Sequence, residues 1–385
     1  MPRATHEVAD VIRLFGADLL RTEMVTSARR RVMRDLSACR TSLLGGHVEQ
    51  CDSCDYHRIA YNSCRNRHCP KCQGARQAKW LEARAHDLLP VEYFHVVFTL
   101  PEEIASIALQ NKRELYGMLF RASAATLQTI AADKRHLGAE IGFVSVLHTW
   151  TQELRHHPHV HCVVPGGGLA SDHSWVACRR GFFLPVRVLG TMFRGKFVTM
   201  LRAAYERGEL QLQGALASLQ DPSAFAACMH RVMGKRWVVY SKPPFGGPLQ
   251  VLKYLARYTH RVAIGNSRIL SVGDDGVSFR CRDRKQPGRS RVVHLPGKEF
   301  LRRFLLHVLP RGFPRIRHYG LLGNRARKAR LAVCRLMLGA QMPTPTSDAI
   351  APVDIAVHCP SCKVGLMVRQ PLLTLEEPEL VDSSL

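Results

Sequence analysis

Cysteines crowd into one short stretch of the chain, at spacings suited to metal binding. The chain has 13 cysteines, and five of them lie between residues 51 and 72. A Cys-x2-Cys pair places two thiols on one tight turn, where both can bind the same ion. Two such pairs supply the four thiolates of a tetrahedral zinc site. We therefore predict a structural Zn²⁺ ion bound by Cys51, Cys54, Cys69 and Cys72.

Two further candidate ligands, Cys64 and His68, lie between these pairs. They extend the site, replace one of the four thiolates or belong to a second metal centre, and the sequence leaves these alternatives open. Arg65, Arg67 and Lys71 are interleaved with the ligands. Cations at these positions favour a nucleic-acid-binding module over a purely structural one.

Another pair, Cys359-x2-Cys362, lies near the C-terminus and has the form of half a zinc ribbon. No second pair follows it in the sequence, so the simplest interpretation is an unpaired knuckle. The other cysteines are scattered singly. An odd total with no export signal argues against a disulfide framework.

Three histidines alternate in the sequence His157-Pro158-His159-Val160-His161. Successive side chains of a strand point to opposite faces, so His159 and His161 lie on one face, about 7 Å apart along the strand. Two imidazoles on one face can share a cation. A bare His-x-His is also common in strands without any metal.

Two tyrosines are separated by three residues in Tyr254-x3-Tyr258. Four residues are about one helical turn, so both phenols lie on one face of a helix. Lys253, Arg257 and Arg261 lie beside them and can attract phosphate. The pair is either a stripe of packing aromatics or a pair of nucleophiles, and the neighbouring histidines and cations favour nucleophiles that cleave a DNA strand.

The charge of the chain indicates a polyanionic partner. Its 385 residues include 55 Lys and Arg and 31 Asp and Glu, for a formal net charge of +24 and an isoelectric point near 10.0. Residues 253–336 alone carry 21 Lys and Arg against 4 Asp and Glu. Such an excess is typical of nucleic-acid-binding proteins. No apolar run is long enough to cross a membrane, and the first residues lack a signal-peptide core, so we expect a cytosolic protein.

Hydrophobic periodicity predicts a mixed helical and β fold. The strands are expected at residues 93–100, 141–149, 159–164 and 237–240, with a β-meander over 268–295. The helices are expected at residues 75–89, 188–207, 223–233, 249–260, 298–308 and 324–338, and a long helical region over 101–132. A Pro/Ser/Thr linker follows at residues 341–351.

Four motifs together make a family resemblance specific. They are the Cys/His module around residues 61–72, the histidine stretch at 156–162, Tyr254-x3-Tyr258, and Arg315-Ile316-Arg317-His318-Tyr319-Gly320. In this order, over roughly residues 10–340, they resemble the two-tyrosine HUH transposases of the insertion sequence 91 family. The resemblance implies an HUH endonuclease-type α+β fold, with a small antiparallel sheet flanked by helices and an N-terminal zinc-binding module.

The resemblance also implies rolling-circle transposition of an insertion sequence through single-stranded DNA. His159 and His161 match the histidines that bind a divalent ion, usually Mg²⁺ or Mn²⁺, and a third ligand would be His157, Gln152 or Glu153. Tyr254 and Tyr258 match nucleophiles that form a 5′-phosphotyrosine intermediate. The order in which the two tyrosines act stays open.

The sequence thus predicts three segments. Residues 1–90 are a helical lead-in and a DNA-binding zinc module, residues 91–340 are the catalytic domain, and residues 341–385 are a linker and tail with half a zinc knuckle. Arg315 and Arg317 of the fourth motif, with the basic region 253–336, are expected to hold the DNA backbone. The alternative is a zinc-dependent nucleic-acid-binding protein without catalysis, which leaves the histidines and tyrosines unexplained. The oligomeric state is not predicted.

Overall fold

The fold alternates helical segments with short antiparallel sheets. The computed structural model describes residues 4–242, 262–283, 286, 288–340 and 358–370. Its helices are α1 (Val8–Thr22), α2 (Ser27–Ala38), α3 (Pro70–Ala85), α4 (Glu102–Gln110), α5 (Lys112–Ala132), α6 (Val186–Glu206), α7 (Pro222–Gly234), α8 (Gly297–Leu306) and α9 (Arg327–Met337). Its strands are β1 (Gly46–Cys51), β2 (His57–Tyr61), β3 (Tyr93–Thr99), β4 (Gly142–Trp150), β5 (His156–Pro165), β6 (Gly167–Leu169), β7 (Trp175–Ala177), β8 (Val239–Lys242), β9 (Ile269–Gly273), β10 (Gly276–Arg282), β11 (Ser290–Leu295), β12 (Ile316–Gly320) and β13 (Met367–Gln370).

A five-stranded antiparallel sheet lies at the centre, in the order β12-β4-β5-β3-β8. One face of this sheet carries alternate apolar side chains such as Phe98, Leu147 and Val160, all fully buried. These residues pack against the apolar faces of α4, α5, α6 and α7 in the main core. Burial of an apolar face of this size is the main source of stability for such a layer. The predicted α+β class, an antiparallel sheet flanked by helices, is confirmed.

The opposite face of the central sheet carries a different set of side chains. Because side chains alternate along a strand, the neighbours of the core residues on β3, β4 and β5 point to this second face. They include His95 on β3, His148 on β4, and His159 and His161 on β5. The sheet therefore carries a histidine-rich face directly behind its apolar one.

A second core joins the N-terminal helices to the later part of the chain. Buried residues of α1 and α2 pack with the three-stranded sheet β9-β10-β11 and with α8. Helix α1 begins with reciprocal side-chain and backbone hydrogen bonds between Glu7 and Asp10, which satisfy otherwise unpaired amide groups. The helical lead-in is thus packed against residues far from it in sequence.

A small sheet near the N-terminus contains a strand from the C-terminal region. Strands β1 and β2 form an antiparallel hairpin, and β13 pairs with the other edge of β1. Segment 358–370, expected as part of a separate tail, is therefore built into the N-terminal sheet. No helix among the described residues is long and apolar enough to cross a membrane.

The predicted helical region 101–132 is two helices, with a break at Asn111. The buried Asn111 side chain donates to the carbonyl of Gln211 over 2.8 Å and accepts from the amide of Gln211 over 2.7 Å. This pairing with a distant segment holds Asn111 outside helical geometry. The predicted helix 249–260 lies outside the described residues, and each of the other predicted helices and strands has an observed counterpart, with ends that differ by a few residues.

Candidate metal centres and nucleic-acid surface

Three histidines of the central sheet converge on one point. The ligand nitrogens of His148, His159 and His161 all lie within 4.8 Å of one another. Strand register explains the convergence, because His148 on β4 lies directly opposite His159 on β5, and His161 is the next residue on the same face of β5. Three imidazoles at this separation are a donor set for one divalent cation.

Hydrogen bonds orient two of these rings. The Nδ1–H of His159 donates to the carbonyl of His157 over 2.7 Å, which leaves the lone pair on Nε2. The Nδ1 of His161 lies 2.8 Å from the Nε2 of His95, and their rings stack at 5.0 Å. When His161 donates this proton, its Nε2 lone pair is the one that a cation would bind. Contacts of this kind fix the tautomer of a metal-binding histidine.

Burial keeps the histidines of this region neutral. It lowers the pKa of His159 to about 4 and that of His95 to about 3. The physical cause is the loss of solvation of the charged ring, since a buried imidazolium is unfavourable without an anion nearby. Neutral imidazole is the form that binds metals.

Two of the three residues predicted as a third ligand, His157 and Glu153, do not belong to this cluster. His157 lies on β5 with its ring 5.3 Å from that of His159, but it is not among the three converging histidines. Gln152 lies in the turn between β4 and β5, where its backbone carbonyl accepts from Arg268, and its role as a ligand stays a prediction. The Glu153 carboxylate forms an ion pair with Arg291 instead. The third histidine, His148, lies on the neighbouring strand β4 and joins the cluster through the register of β4 with β5.

Four thiols converge at the base of the second core. They belong to Cys39, Cys64, Cys69 and Cys72. The Sγ atoms of Cys39 and Cys72 are 3.6 Å apart, and those of Cys64 and Cys72 are 3.7 Å apart. Hydrogen bonds from the Cys64 and Cys69 thiols hold the pKa of Cys39 well below its usual range. Cys39, which follows α2 and is isolated in sequence, completes this set.

A second cluster of four thiols is formed by two Cys-x2-Cys pairs from opposite ends of the chain. Cys51 and Cys54 lie beside Cys359 and Cys362. The prediction of one site made by Cys51, Cys54, Cys69 and Cys72 is therefore wrong, because the two N-terminal pairs belong to different clusters. The interpretation of Cys359 and Cys362 as an unpaired knuckle is also wrong. The number of cysteines is the sequence signal for both corrections. Cys64, Cys69 and Cys72 need only one more thiol to complete a four-thiolate site, so that site does not need Cys51 and Cys54.

His68 lies outside both thiol clusters. It borders a small internal cavity together with Thr149, Trp150, His307 and Arg315. Burial and the neighbouring Arg67 guanidinium lower the pKa of His68 to about 3. Its position favours packing beside the central sheet over binding a metal with the thiols.

Several predicted DNA-binding cations have partners within the protein. Arg67 donates to the carbonyls of Phe313 and Pro310 at 2.6 and 2.8 Å, and Lys71 pairs with Glu7 at 2.7 Å.

The cations of the fourth motif are also engaged within the fold. The Arg317 guanidinium lies 4.4 Å from the centre of the Phe120 ring, a cation–π contact. Burial lowers the pKa of Arg315 to about 10. Arg65, by contrast, is exposed and borders a broad surface groove beside β1 and β2.

The predicted nucleophiles Tyr254 and Tyr258, with Lys253, Arg257 and Arg261, lie outside the described residues. The described residues at either end of this segment lie close to the histidines. Lys242, the last residue of β8, is directly opposite His95 in the sheet. Val262 borders the same small cavity as Trp150, whose ring stacks on His148 at 4.6 Å.

Comparison with known proteins identifies two matching families. A family described as "Putative transposase" matches residues 142–330, and one described as "Transposase zinc-binding domain" matches residues 11–100. The protein is 52% identical over 381 residues to "Putative transposase y4qJ" of Sinorhizobium fredii (strain NBRC 101917 / NGR234), which covers 96% of each chain. It is 28% identical over 300 residues to the "Transposase for insertion sequence element IS801" of Pseudomonas savastanoi pv. phaseolicola, covering 75% of this chain and 68% of that one.

Solved structures give a weaker likeness. The metal-bound conjugative relaxase TrwC in complex with oriT DNA matches 43% of this chain and 70% of its own, at 15% identity and a TM-score of 0.25. The metal-free complex of the same relaxase matches 65% and 73%, at 16% identity and a TM-score of 0.25.

Proposed function

The chain belongs to the insertion sequence 91 family of transposases, and from this premise we propose that it cleaves and rejoins single-stranded DNA at the ends of an insertion sequence. Cleavage proceeds by attack of a tyrosine on a phosphodiester beside the histidine cluster. The observation that carries the proposal is the convergence of His148, His159 and His161 on one face of the central sheet. The net charge of +24 supports a polyanionic substrate.

The donor set fits a divalent ion, and the family resemblance, not the imidazoles themselves, is the reason for assigning Mg²⁺ or Mn²⁺ to it. His148, His159 and His161 would hold the ion, and His95 and the His157 carbonyl would keep two of the rings in the right tautomer. Three protein ligands leave coordination positions for phosphate oxygens. When bound, the ion polarises the scissile phosphate and stabilises the charge that develops as the bond breaks.

Tyr254 and Tyr258 are the proposed nucleophiles. The phenol of one tyrosine loses its proton as its oxygen attacks phosphorus, the bond from phosphorus to the 3′ oxygen breaks, and that oxygen takes up a proton to become a free 3′-OH. The strand stays attached as a 5′-phosphotyrosine, whose bond energy allows rejoining without ATP. The position of Val262 near the histidines supports this assignment, because Tyr254 and Tyr258 lie eight and four residues before it in the sequence.

The cluster of Cys39, Cys64, Cys69 and Cys72 is the proposed zinc site of the N-terminal module. All four residues lie within the matched zinc-binding domain, and a four-sulfur set selects zinc or iron–sulfur centres. The bonds from Arg67 to the loop before β12 tie this module to the central sheet. The module would therefore hold DNA at a fixed distance from the histidines.

The test is cleavage of labelled single-stranded DNA from the element's ends, with Mg²⁺ or Mn²⁺ and with chelator. We expect metal-dependent nicking by the wild type, and loss of nicking in His148→Ala, His159→Ala and His161→Ala. His157→Ala is the matched control, because it removes an imidazole from the same strand but not from the cluster. Equal nicking by all four variants would contradict the proposal. DNA binding without any nicking would favour the non-catalytic alternative.

A further inference from the structure

The second thiol cluster joins the two ends of the chain. We propose that Cys51, Cys54, Cys359 and Cys362 bind a second zinc ion, which fixes segment 358–370 to the N-terminal sheet. This proposal does not depend on the tyrosine chemistry. It assigns a metal site that joins Cys51 and Cys54, within the matched zinc-binding domain, to Cys359 and Cys362, far beyond the end of that domain at residue 100.

Distances between the sulfur atoms match a metal site. The Sγ atoms of Cys51 and Cys362 are 3.7 Å apart, as are those of Cys54 and Cys359. Zinc–sulfur bonds of about 2.3 Å in a tetrahedron place neighbouring sulfurs about 3.8 Å apart. A disulfide would need a separation of about 2.05 Å. The four sulfurs therefore have the spacing of ligands around one ion.

Backbone amides are directed at the sulfurs. The amide of Ser53 donates to the Cys51 sulfur over 3.3 Å, that of Ser361 to the Cys359 sulfur over 3.4 Å, and that of Gly365 to the Cys362 sulfur over 3.3 Å. Such donors stabilise thiolates and orient them, the role that surrounding groups play at metal sites. Both knuckles, including the C-terminal one, have this arrangement.

The two knuckles are in close contact at one glycine. A Cβ atom at Gly365 would lie 2.5 Å from the Cys51 sulfur and 2.6 Å from the Asp52 carboxylate, so only glycine allows this approach. Beside it, the Asp52 amide donates to the carbonyl of Leu366 over 3.0 Å, and the Leu366 amide donates to the Asp52 carboxylate over 2.8 Å. The N-terminal and C-terminal cysteine pairs therefore fit together closely around the cluster and exchange hydrogen bonds.

Apolar packing alone does not account for this docking. Within segment 358–370 the buried positions are Cys359 and Gly365, while the apolar side chains of Val364 and Val368 are 79% and 45% exposed. Small segments without a core of their own are commonly held in place by a disulfide or a metal. The thiols of the segment form no disulfide, so a metal bound by Cys359 and Cys362 would add to the pairing of β13 with β1.

By fixing segment 358–370, the zinc ion would also hold one arginine of that segment at a surface groove that contains other cations. Strand β13 places Arg369 opposite Glu49 of β1, and Glu49 in turn pairs with Arg58 of β2 at 2.6 Å. Arg369 borders the same groove as Arg40 and Arg65, and all three are exposed. The groove suits a DNA backbone, to which the C-terminal segment contributes one cation.

The metal content of the full-length protein tests the proposal. Elemental analysis by mass spectrometry should find two zinc ions per chain in the wild type and one in Cys359→Ser/Cys362→Ser. Cys178→Ser, which removes a half-buried thiol outside both clusters, should keep two. Equal zinc contents in the wild type and in Cys359→Ser/Cys362→Ser, or iron in place of the zinc that the double variant loses, would overturn the proposal. None of these outcomes depends on DNA cleavage, so failure of the proposed function would be recognised separately.

A second measurement tests the proposal if Cys359→Ser/Cys362→Ser does not fold. A specific protease site placed between residues 341 and 357 of the full chain is cut after purification. The C-terminal fragment should stay bound through gel filtration and should leave when a strong chelator removes the zinc. Immediate release of the fragment without chelator, or its retention after zinc is removed, would contradict the proposal.

Discussion

His95 offers a sharp test of the histidine cluster, because it touches a proposed ligand without being one. Its Nε2 lies 2.8 Å from the Nδ1 of His161, and the two rings stack nearly in parallel. In His95→Phe the stacked ring is kept and the hydrogen-bond partner is lost. Loss of such a partner weakens metal binding about 10- to 100-fold, which corresponds to about 1.4–2.7 kcal/mol. The His161 ring would then have lost the contact that fixes its tautomer.

The assay is a titration of the full-length protein with Mn²⁺, with the free ion followed by electron paramagnetic resonance. His95→Phe should raise the Kd for Mn²⁺ 10- to 100-fold, whereas His95→Gln should recover most of the loss because its amide oxygen can accept near the place of Nε2. Thermal unfolding of both variants checks that the sheet is intact. An unchanged Kd in His95→Phe, or equal losses in the two variants, would refute the assignment of His95 as a positioning residue.

Three other predictions concern the metal sites and the basic residues. His148→Ala should abolish detectable Mn²⁺ binding and His157→Ala should leave it within about threefold, measured by the same titration; equal losses would place the ion elsewhere. Arg67→Ala should lower thermal stability, since each lost hydrogen bond of a charged donor costs about 1.5–3 kcal/mol, whereas Arg65→Ala should weaken DNA binding at low salt with little change in Tm. Cys39→Ser should remove one zinc ion per chain in elemental analysis, and full retention of zinc would exclude Cys39 as a ligand.

Local signals in the sequence were enough for most of the fold. The alternation of apolar residues predicts β3 and β5 within a few residues, and it predicts β4 as well, although Ser145 interrupts the apolar series on the core face of that strand. The break at Asn111 could not be predicted, since its cause is a hydrogen bond to Gln211, a hundred residues away. The pairing of β13 with β1 is likewise a contact between distant parts of the chain.

In the candidate sites, too, some features follow from local sequence and others depend on contacts between distant residues. His159 and His161 share a strand, so their common face follows from alternation alone, whereas His148 joins them through the register between β4 and β5. The spacing of the cysteines predicts that they bind metal, but it does not determine which pairs bind the same ion. Which cysteines share an ion depends on where the folded chain places Cys39 and the C-terminal pair, Cys359 and Cys362. Charge alone predicts that the cations contact DNA, whereas Arg67 donates to carbonyls within the fold instead.

Transfer of a DNA strand to a tyrosine is the central claim, and isolation of the covalent adduct tests it most directly. Full-length protein is incubated with end-labelled single-stranded DNA from the element's ends and Mg²⁺ or Mn²⁺, then denatured and digested for mass spectrometry. We predict a metal-dependent adduct in which the 5′-phosphate is bonded to Tyr254 or Tyr258, and its absence in Tyr254→Phe/Tyr258→Phe. Cleavage that leaves no adduct, or an adduct that survives in the double variant, would contradict the account.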